Sequence, residues 1–227
     1  MHLGTRTQLP ALAKAEFRTG AVDSLRTIIV SGGLRPGERL VESEIADRLG
    51  ISRTPVREAF FHLRRDGLIC GGEGRGLFVA PLSVREITEI YQLLGGLERI
   101  ALRHIAKVSP ATLSQLKKAS AKRLRAGSDI GAIIDADRKW HEALTAQSSN
   151  LRALDLMSGP RALAERYERA FFRAEANQER SVREHREIEA LVEAGDLRGA
   201  ADLIEDHWLD NIPPMAAAIA GSGAASR

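Results

Sequence analysis

The chain has 227 residues, 44% of them hydrophobic, which is enough for two modest domains with buried cores. Its single cysteine, Cys70, excludes an intrachain disulfide and a cysteine-based zinc cluster. No apolar run has the length of a membrane span or a secretory signal, so a soluble, cytoplasmic protein without a membrane partner is expected. The net charge of +3 lies wholly in residues 1–82, where 12 Lys and Arg face 9 Asp and Glu, a modest excess that suits a polyanionic partner.

Residues 1–18 read as an N-terminal tail. From Thr19, Val22, Leu25, Ile28 and Ile29 recur at helical spacing until Ser31, Gly32 and Gly33 stop the helix. After a turn at Pro36 and Gly37, Ile45, Ala46 and Leu49 give a short second helix closed by Gly50. A third helix is predicted to start with Thr54 as its cap and Pro55 at its first position. Val56, Ala59, Phe60 and Leu63 then face inward, while Arg57, Phe61 and Arg64 face out. Two short strands, Leu68 to Cys70 and Leu77 to Val79, flank the glycine-rich segment 71–76 as a hairpin. Three helices and a hairpin make a winged helix-turn-helix over 19–80.

Residues 81–83 read as a linker, with Ser83 capping the next helix. Helical runs follow at about 83–107, 111–126, 129–148, 151–176 and 178–210, with breaks at Pro110, Gly127, Asn150 and Gly195, and with Gly159 and Pro160 able to kink the fourth. The expected fold is therefore mainly α: the winged unit plus an antiparallel all-helical bundle over 84–212. The Ala-, Gly- and Ser-rich stretch 213–227 reads as a flexible tail.

The segments Leu34 to Leu40, Ile45 and Ala46, Leu49 to Ala59 (Leu-Gly-Ile-Ser-Arg-Thr-Pro-Val-Arg-Glu-Ala) and Asp66 to Leu68 resemble the GntR family of bacterial regulators. Asp137 to His141, Asn150, Glu184, His185 and His207 are similar to the FCD effector domain of its FadR subfamily. The resemblance implies a ligand-responsive DNA-binding regulator, with repression as the commonest mode, rather than an enzyme. It also implies that the third helix enters the major groove by its N-terminus. There Arg53 and Arg57 would read guanine edges, Ser52 and Thr54 would meet phosphate, and Gly76 would let the wing approach the backbone or minor groove. Phe61 either touches a thymine methyl or, preferably, packs on the helical domain. A homodimer on a palindromic operator follows, since one helix reads only a few base pairs.

Asp137 and His141, four apart, share a helix face, whereas His185 and His207 lie on two other helices. Spacing alone leaves these histidines as metal ligands or as hydrogen-bonded core residues. The resemblance implies the former: a divalent ion, zinc first, nickel or manganese next, held by Asp137, His141, His185 and His207 and receiving a small effector, an organic acid among the candidates. Where the family commonly has Tyr, two residues and an acid-binding Arg, this chain has Tyr91, Gln92, Leu93 and Leu94, so Arg138 or Arg161 is expected to substitute, with Asn150 beside them. Gly95 and Gly96 are expected to open room in that pocket. A direct metal sensor is the alternative. A metal-dependent hydrolase is disfavoured, because His141-Glu142 lacks a second zincin histidine and no Gly-x-Ser-x-Gly elbow occurs.

Overall fold

The computed structural model describes residues 12–72 and 76–221, with 12–19 and 72 described in backbone only. The chain forms two compact units, one running up to Ala80 and one from Pro81 onward, with the short stretch Val30–Gly32 grouped with the second.

The first unit contains α1 (Leu12–Val30), β1 (Arg39–Leu40), α2 (Glu42–Leu49), α3 (Arg53–Arg65), β2 (Ile69–Gly72) and β3 (Gly76–Val79). Leu25, Val56, Ala59, Leu63 and Leu68 are buried to 1% exposure or less, so the inward face predicted for the third helix is its core face. Three features differ from the sequence reading. The first helix begins at Leu12, inside the expected tail. The third begins at Arg53, with Ser52 rather than Thr54 in the cap position and making no side-chain cap bond; Pro55 still fits, because third-position amides also lack an intrahelical acceptor. The hairpin gains a third strand: β1 pairs antiparallel with β3 (Arg39 opposite Phe78), giving the order β1-β3-β2. Within that wing Gly71 adopts φ +97°, and a methyl there would run into the carbonyl oxygen of Gly76, so only glycine fits.

The second unit contains α4 (Val84–Arg103), α5 (Pro110–Arg125), α6 (Ile130–Thr145), α7 (Leu151–Phe171), α8 (Glu175–Ala194), α9 (Leu197–Asp210) and α10 (Ile212–Gly221). Side chains of Ser83, Ser109, Asp129, Asn150 and Asp196 cap five of these helices by accepting an amide of the first turn. Pro160 lies inside α7, which runs through it unsplit. The expected flexible tail is corrected in part: residues 212–221 form α10, with Met215 and Ile219 fully buried. Pro213 and Pro214 do not oppose this helix, because they occupy its first turn, where amides have no intrahelical partner. Residues 1–11 and 222–227 lie outside the described residues.

Helix α4 packs closely on α9, and Gly95 is the reason. A Cβ at Gly95 would lie 3.2 Å from Trp208 Cβ and 3.3 Å from the Glu205 carbonyl oxygen. Gly95 thus lets two helices approach and does not open a pocket, which corrects the sequence reading. Arg99 clasps Asp202 at 2.9 Å and Glu205 at 3.3 Å across the same seam. Gly95→Ala is expected to lower stability by about 1–3 kcal/mol through overpacking. Gly96→Ala, with nothing within 4 Å of its added Cβ, should not. Chemical denaturation of the two variants checks the contrast.

Candidate DNA-reading helix and buried histidine centre

The first turn of α3 and the outer face beyond it are exposed: Ser52, Arg53, Thr54, Arg57 and Arg64 all face solvent, and Phe61 is 60% exposed. Arg57 is not loose. Its Nε and Nη2 donate to both carboxylate oxygens of Glu42, at the start of α2, at 3.0 and 2.8 Å. That fork holds the guanidinium alongside the helix face that would meet a base edge, and the Arg57 hydrogen bond in turn keeps the Glu42 carboxyl below its usual range. Sequence reasoning missed Glu42, because the pairing joins two helices across a turn. Gly76 sits at φ +80° where β3 begins. An added methyl there would make only ordinary contacts, 3.5 Å from the Phe78 ring, so the backbone angle and not space selects glycine.

In the helical unit, α6 supplies His141, α8 His185 and α9 His207. All three are buried, and one nitrogen of each lies within 4.8 Å of the others. Two carboxylates orient them from outside. Glu98 on α4, fully buried, accepts from His141 Nδ1 at 2.9 Å, from Trp208 Nε1 at 2.9 Å and from Arg161 Nη2. Burial alone would push the Glu98 carboxyl up, but His141, Arg161 and Trp208 outweigh it and bring it to about 2. An anionic Glu98 can only accept, so the proton of His141 sits on Nδ1 and its Nε2 presents a lone pair. Burial also lowers His141, and lowers His185 strongly, favouring neutral imidazoles. His207 repeats the arrangement: its Nδ1 lies 2.7 Å from Glu184, which accepts further bonds from Arg180 and Asn211.

The free ends of these rings are the telling feature. His141 Nε2 and His185 Nε2 are buried without a hydrogen-bond partner among the described residues, the condition expected of metal-ligating nitrogens and costly otherwise. Asp137 joins them, one oxygen 3.6 Å from His141 Nε2 and the other 3.8 Å from His185 Nε2. The same carboxylate is paired with the buried Arg123 of α5. Beside this cluster lies a cavity of about 20 Å³, lined by Asp137, His141, His207, Tyr91, Glu168 and Phe172 among others. It has room for about one water or a bare ion. Burial, then the neighbouring Asp137, push the Glu168 carboxyl well above the usual range, favouring its protonated form.

The structure therefore brings together Asp137, His141, His185 and His207, and separates the expected effector residues from them. Asn150 is a helix cap, its oxygen taken by the Ala153 amide at 3.1 Å. Arg138 turns outward to Asp135, Glu142 and Glu165. Arg161 stands one step behind the histidines, holding Glu98. Of the other histidines, His104 binds a carbonyl of its own helix. Glu98, Arg123 and Glu168 escaped sequence reasoning, yet each carries a legible signal: a charged residue inside an apolar helical stripe, as in Ile87, Tyr91, Leu94, Glu98, Leu102.

An exposed arginine-bearing helix beside a three-stranded wing, followed in the chain by an all-helical domain, is the architecture of a winged helix-turn-helix transcription regulator. Residues 17–79 match the family of bacterial regulatory proteins named for gntR, and residues 89–210 match the FCD domain. The chain belongs to the GntR family of transcription regulators, in its FCD-bearing form. It is 27% identical over 190 residues to the HTH-type transcriptional regulator YdhC of Bacillus subtilis, spanning 82% of this chain and 85% of that protein. It is 26% identical over 175 residues to the HTH-type transcriptional repressor RspR of Escherichia coli, spanning 76% and 77%. Among solved structures, a GntR transcriptional regulator from Rhodococcus sp. RHA1 superposes with a TM-score of 0.76 at 27% identity, covering 89% of this chain and 98% of that one. Among the described residues, no helix is long and apolar enough to cross a membrane.

Proposed function

We propose that this regulator works as a cytoplasmic homodimer on a palindromic operator, as a repressor, and that a divalent metal and a small organic effector in its helical domain set its DNA affinity. Arg53 and Arg57 read bases, while Ser52, Thr54 and Gly76 meet the DNA backbone. His141, His185 and His207 hold the ion, zinc first and nickel or manganese next, with Asp137 as the adjoining carboxylate. When bound, the ion supplies a Lewis-acid position for an oxygen of the effector. Glu98 and Glu184 fix the tautomers of His141 and His207 and keep their lone pairs aimed inward. The effector acts through unequal affinity for the arrangements of the dimer that hold DNA well or poorly. The repressor assignment is supported by the name of the RspR relative.

One observation carries the metal reading: two buried imidazole nitrogens without hydrogen-bond partners, in a cluster of three histidines. Protein purified without chelator or affinity-tag histidines is expected to contain near-stoichiometric metal by mass spectrometry, and the His185→Ala, His207→Ala double variant none. Wild-type protein that takes up no zinc, nickel or manganese on titration would make the histidines structural.

A second reading, direct metal sensing, fits the small cavity at the histidines, whose volume of about 20 Å³ an ion by itself would fill. Operator affinity measured with metal alone separates the two. A sensor responds to metal, whereas a metabolite receptor stays unchanged until its organic ligand is added.

A further inference from the structure

Three carboxylates beside the buried imidazoles are each matched by one arginine. Glu98 pairs with Arg161, Glu184 with Arg180 at 2.8 Å, and Asp137 with Arg123. The first two pairs stand behind the rings, because Glu98 and Glu184 face the Nδ1 atoms of His141 and His207. The third faces the inner nitrogens. Asp137 Oδ2 lies 3.6 Å from His141 Nε2 and Oδ1 lies 3.8 Å from His185 Nε2, and Oδ1 is also the oxygen that accepts from Arg123 Nη1. Of the three arginines, Arg123 alone therefore holds a carboxylate that a cation between the histidines would share.

The side chains of Arg123 and Asp137 are 4% and 6% exposed, so water screens their attraction little. Arg123 Nε and Nη2 have no hydrogen-bond partner among the described residues, and the guanidinium carbon lies 4.6 Å from the centre of the Phe172 ring. Burial favours neutral His141 and His185, and Glu168, the other acid at the cavity, is held toward its protonated form. A divalent cation at the histidines would thus add two positive charges where arginines already offset the carboxylates. Charges of one sign repel strongly at such depth, so the ion gains Asp137 at the expense of the guanidinium.

We infer that Arg123 is a built-in competitor of the metal, claiming the Asp137 carboxylate and thereby lowering the affinity of the histidine centre for a divalent cation. The guanidinium keeps the buried carboxylate compensated as the ion leaves, which makes the centre one that exchanges its metal. The inference deepens the proposed metal reading and rests on it. A donor that only oriented Asp137 would strengthen metal binding, as outer-shell partners of ligands do. Competition has the opposite sign.

Full-length protein, stripped with a chelator, is titrated with zinc in competition with a chromogenic chelator of known affinity. Arg123→Met, which removes the charge and keeps an apolar contact for Phe172, should bind zinc roughly tenfold more tightly than wild type, or tighter still. Arg123→Gln, which can still donate to Asp137 without a charge, is a second neutral variant should the first not fold, and should tighten binding as well. Arg123→Lys, which keeps the charge, should stay near wild type. Zinc affinity that is unchanged or weaker in the neutral variants, or an equal gain in Arg123→Lys, would overturn the competition and leave the metal reading standing. No zinc uptake by wild type or any variant would overturn both. Uptake by a neutral variant and not by wild type would be the same competition at its limit.

Discussion

Replacing Glu98 with alanine should destabilise the helical domain by about 3–5 kcal/mol, the cost of breaking a buried ion-paired network from one side. Three groups lose their acceptor together: His141 Nδ1, Trp208 Nε1 and the Arg161 guanidinium, which is left 12% exposed and without its carboxylate. Glu98→Gln, which retains an acceptor for Trp208 but no charge for Arg161, should lose less. Denaturant unfolding followed by far-ultraviolet circular dichroism checks the order. The same residue sets an acid limit. Its folded pKa of about 2 lies below the ordinary 4.5, so its contribution is complete above pH 4.5 and disappears as pH falls toward 2. Glu184, also near 2, acts in the same window. Glu98→Gln should therefore show a shallower acid loss than wild type, and equal slopes would assign that loss elsewhere.

Arg57→Ala should weaken operator binding roughly tenfold to a hundredfold while changing affinity for random DNA little, since a base-reading guanidinium contributes to specificity. Fold stability should be nearly unchanged, because the Arg57–Glu42 pair is exposed and such pairs contribute little. Glu42→Gln provides the internal comparison. It frees Arg57 from its bidentate partner but keeps the charge, so it should blur base discrimination more than it lowers total affinity. Competition titrations with operator and scrambled duplexes measure both. Equal losses on the two duplexes for Arg57→Ala would make this a phosphate contact.

The helical elements were legible because their faces repeat. The spacing of Val56, Ala59, Phe60 and Leu63 marks the buried side of α3, and Ser83 and Gly50 announce a start and a stop. The two-residue strand β1 was not, since Arg39 and Leu40 are too few to show alternation and pair only through the register of β3. Helix α10 was hidden by its composition: prolines and alanines suggest a frayed end until Met215 and Ile219 are seen buried. At the site, Asp137 and His141 share one helix and can be paired by counting. Glu98, Glu184 and Arg123 come from three other helices, and their convergence is a product of tertiary packing that no local period encodes. Likewise, that Arg138 and Arg161 are paired with neighbouring carboxylates depends on the packed bundle, not on the order of residues.

Trp140 lies flat against His185, ring centroids 3.7 Å apart and planes inclined by 2°. An imidazole that gives its lone pair to a cation becomes an electron-poor ring, and an excited indole stacked on such a ring sheds its energy by charge transfer instead of light. Metal uptake at the histidine centre is therefore expected to dim the emission of Trp140, which tryptophan fluorescence during a zinc titration checks. The chain has only two tryptophans, and the other, Trp208, sits 4.9 Å from His141 at a tilt of 38°. A Trp208→Phe variant would leave a single emitter in direct contact with one candidate ligand, and occupancy could be followed in real time without an added dye.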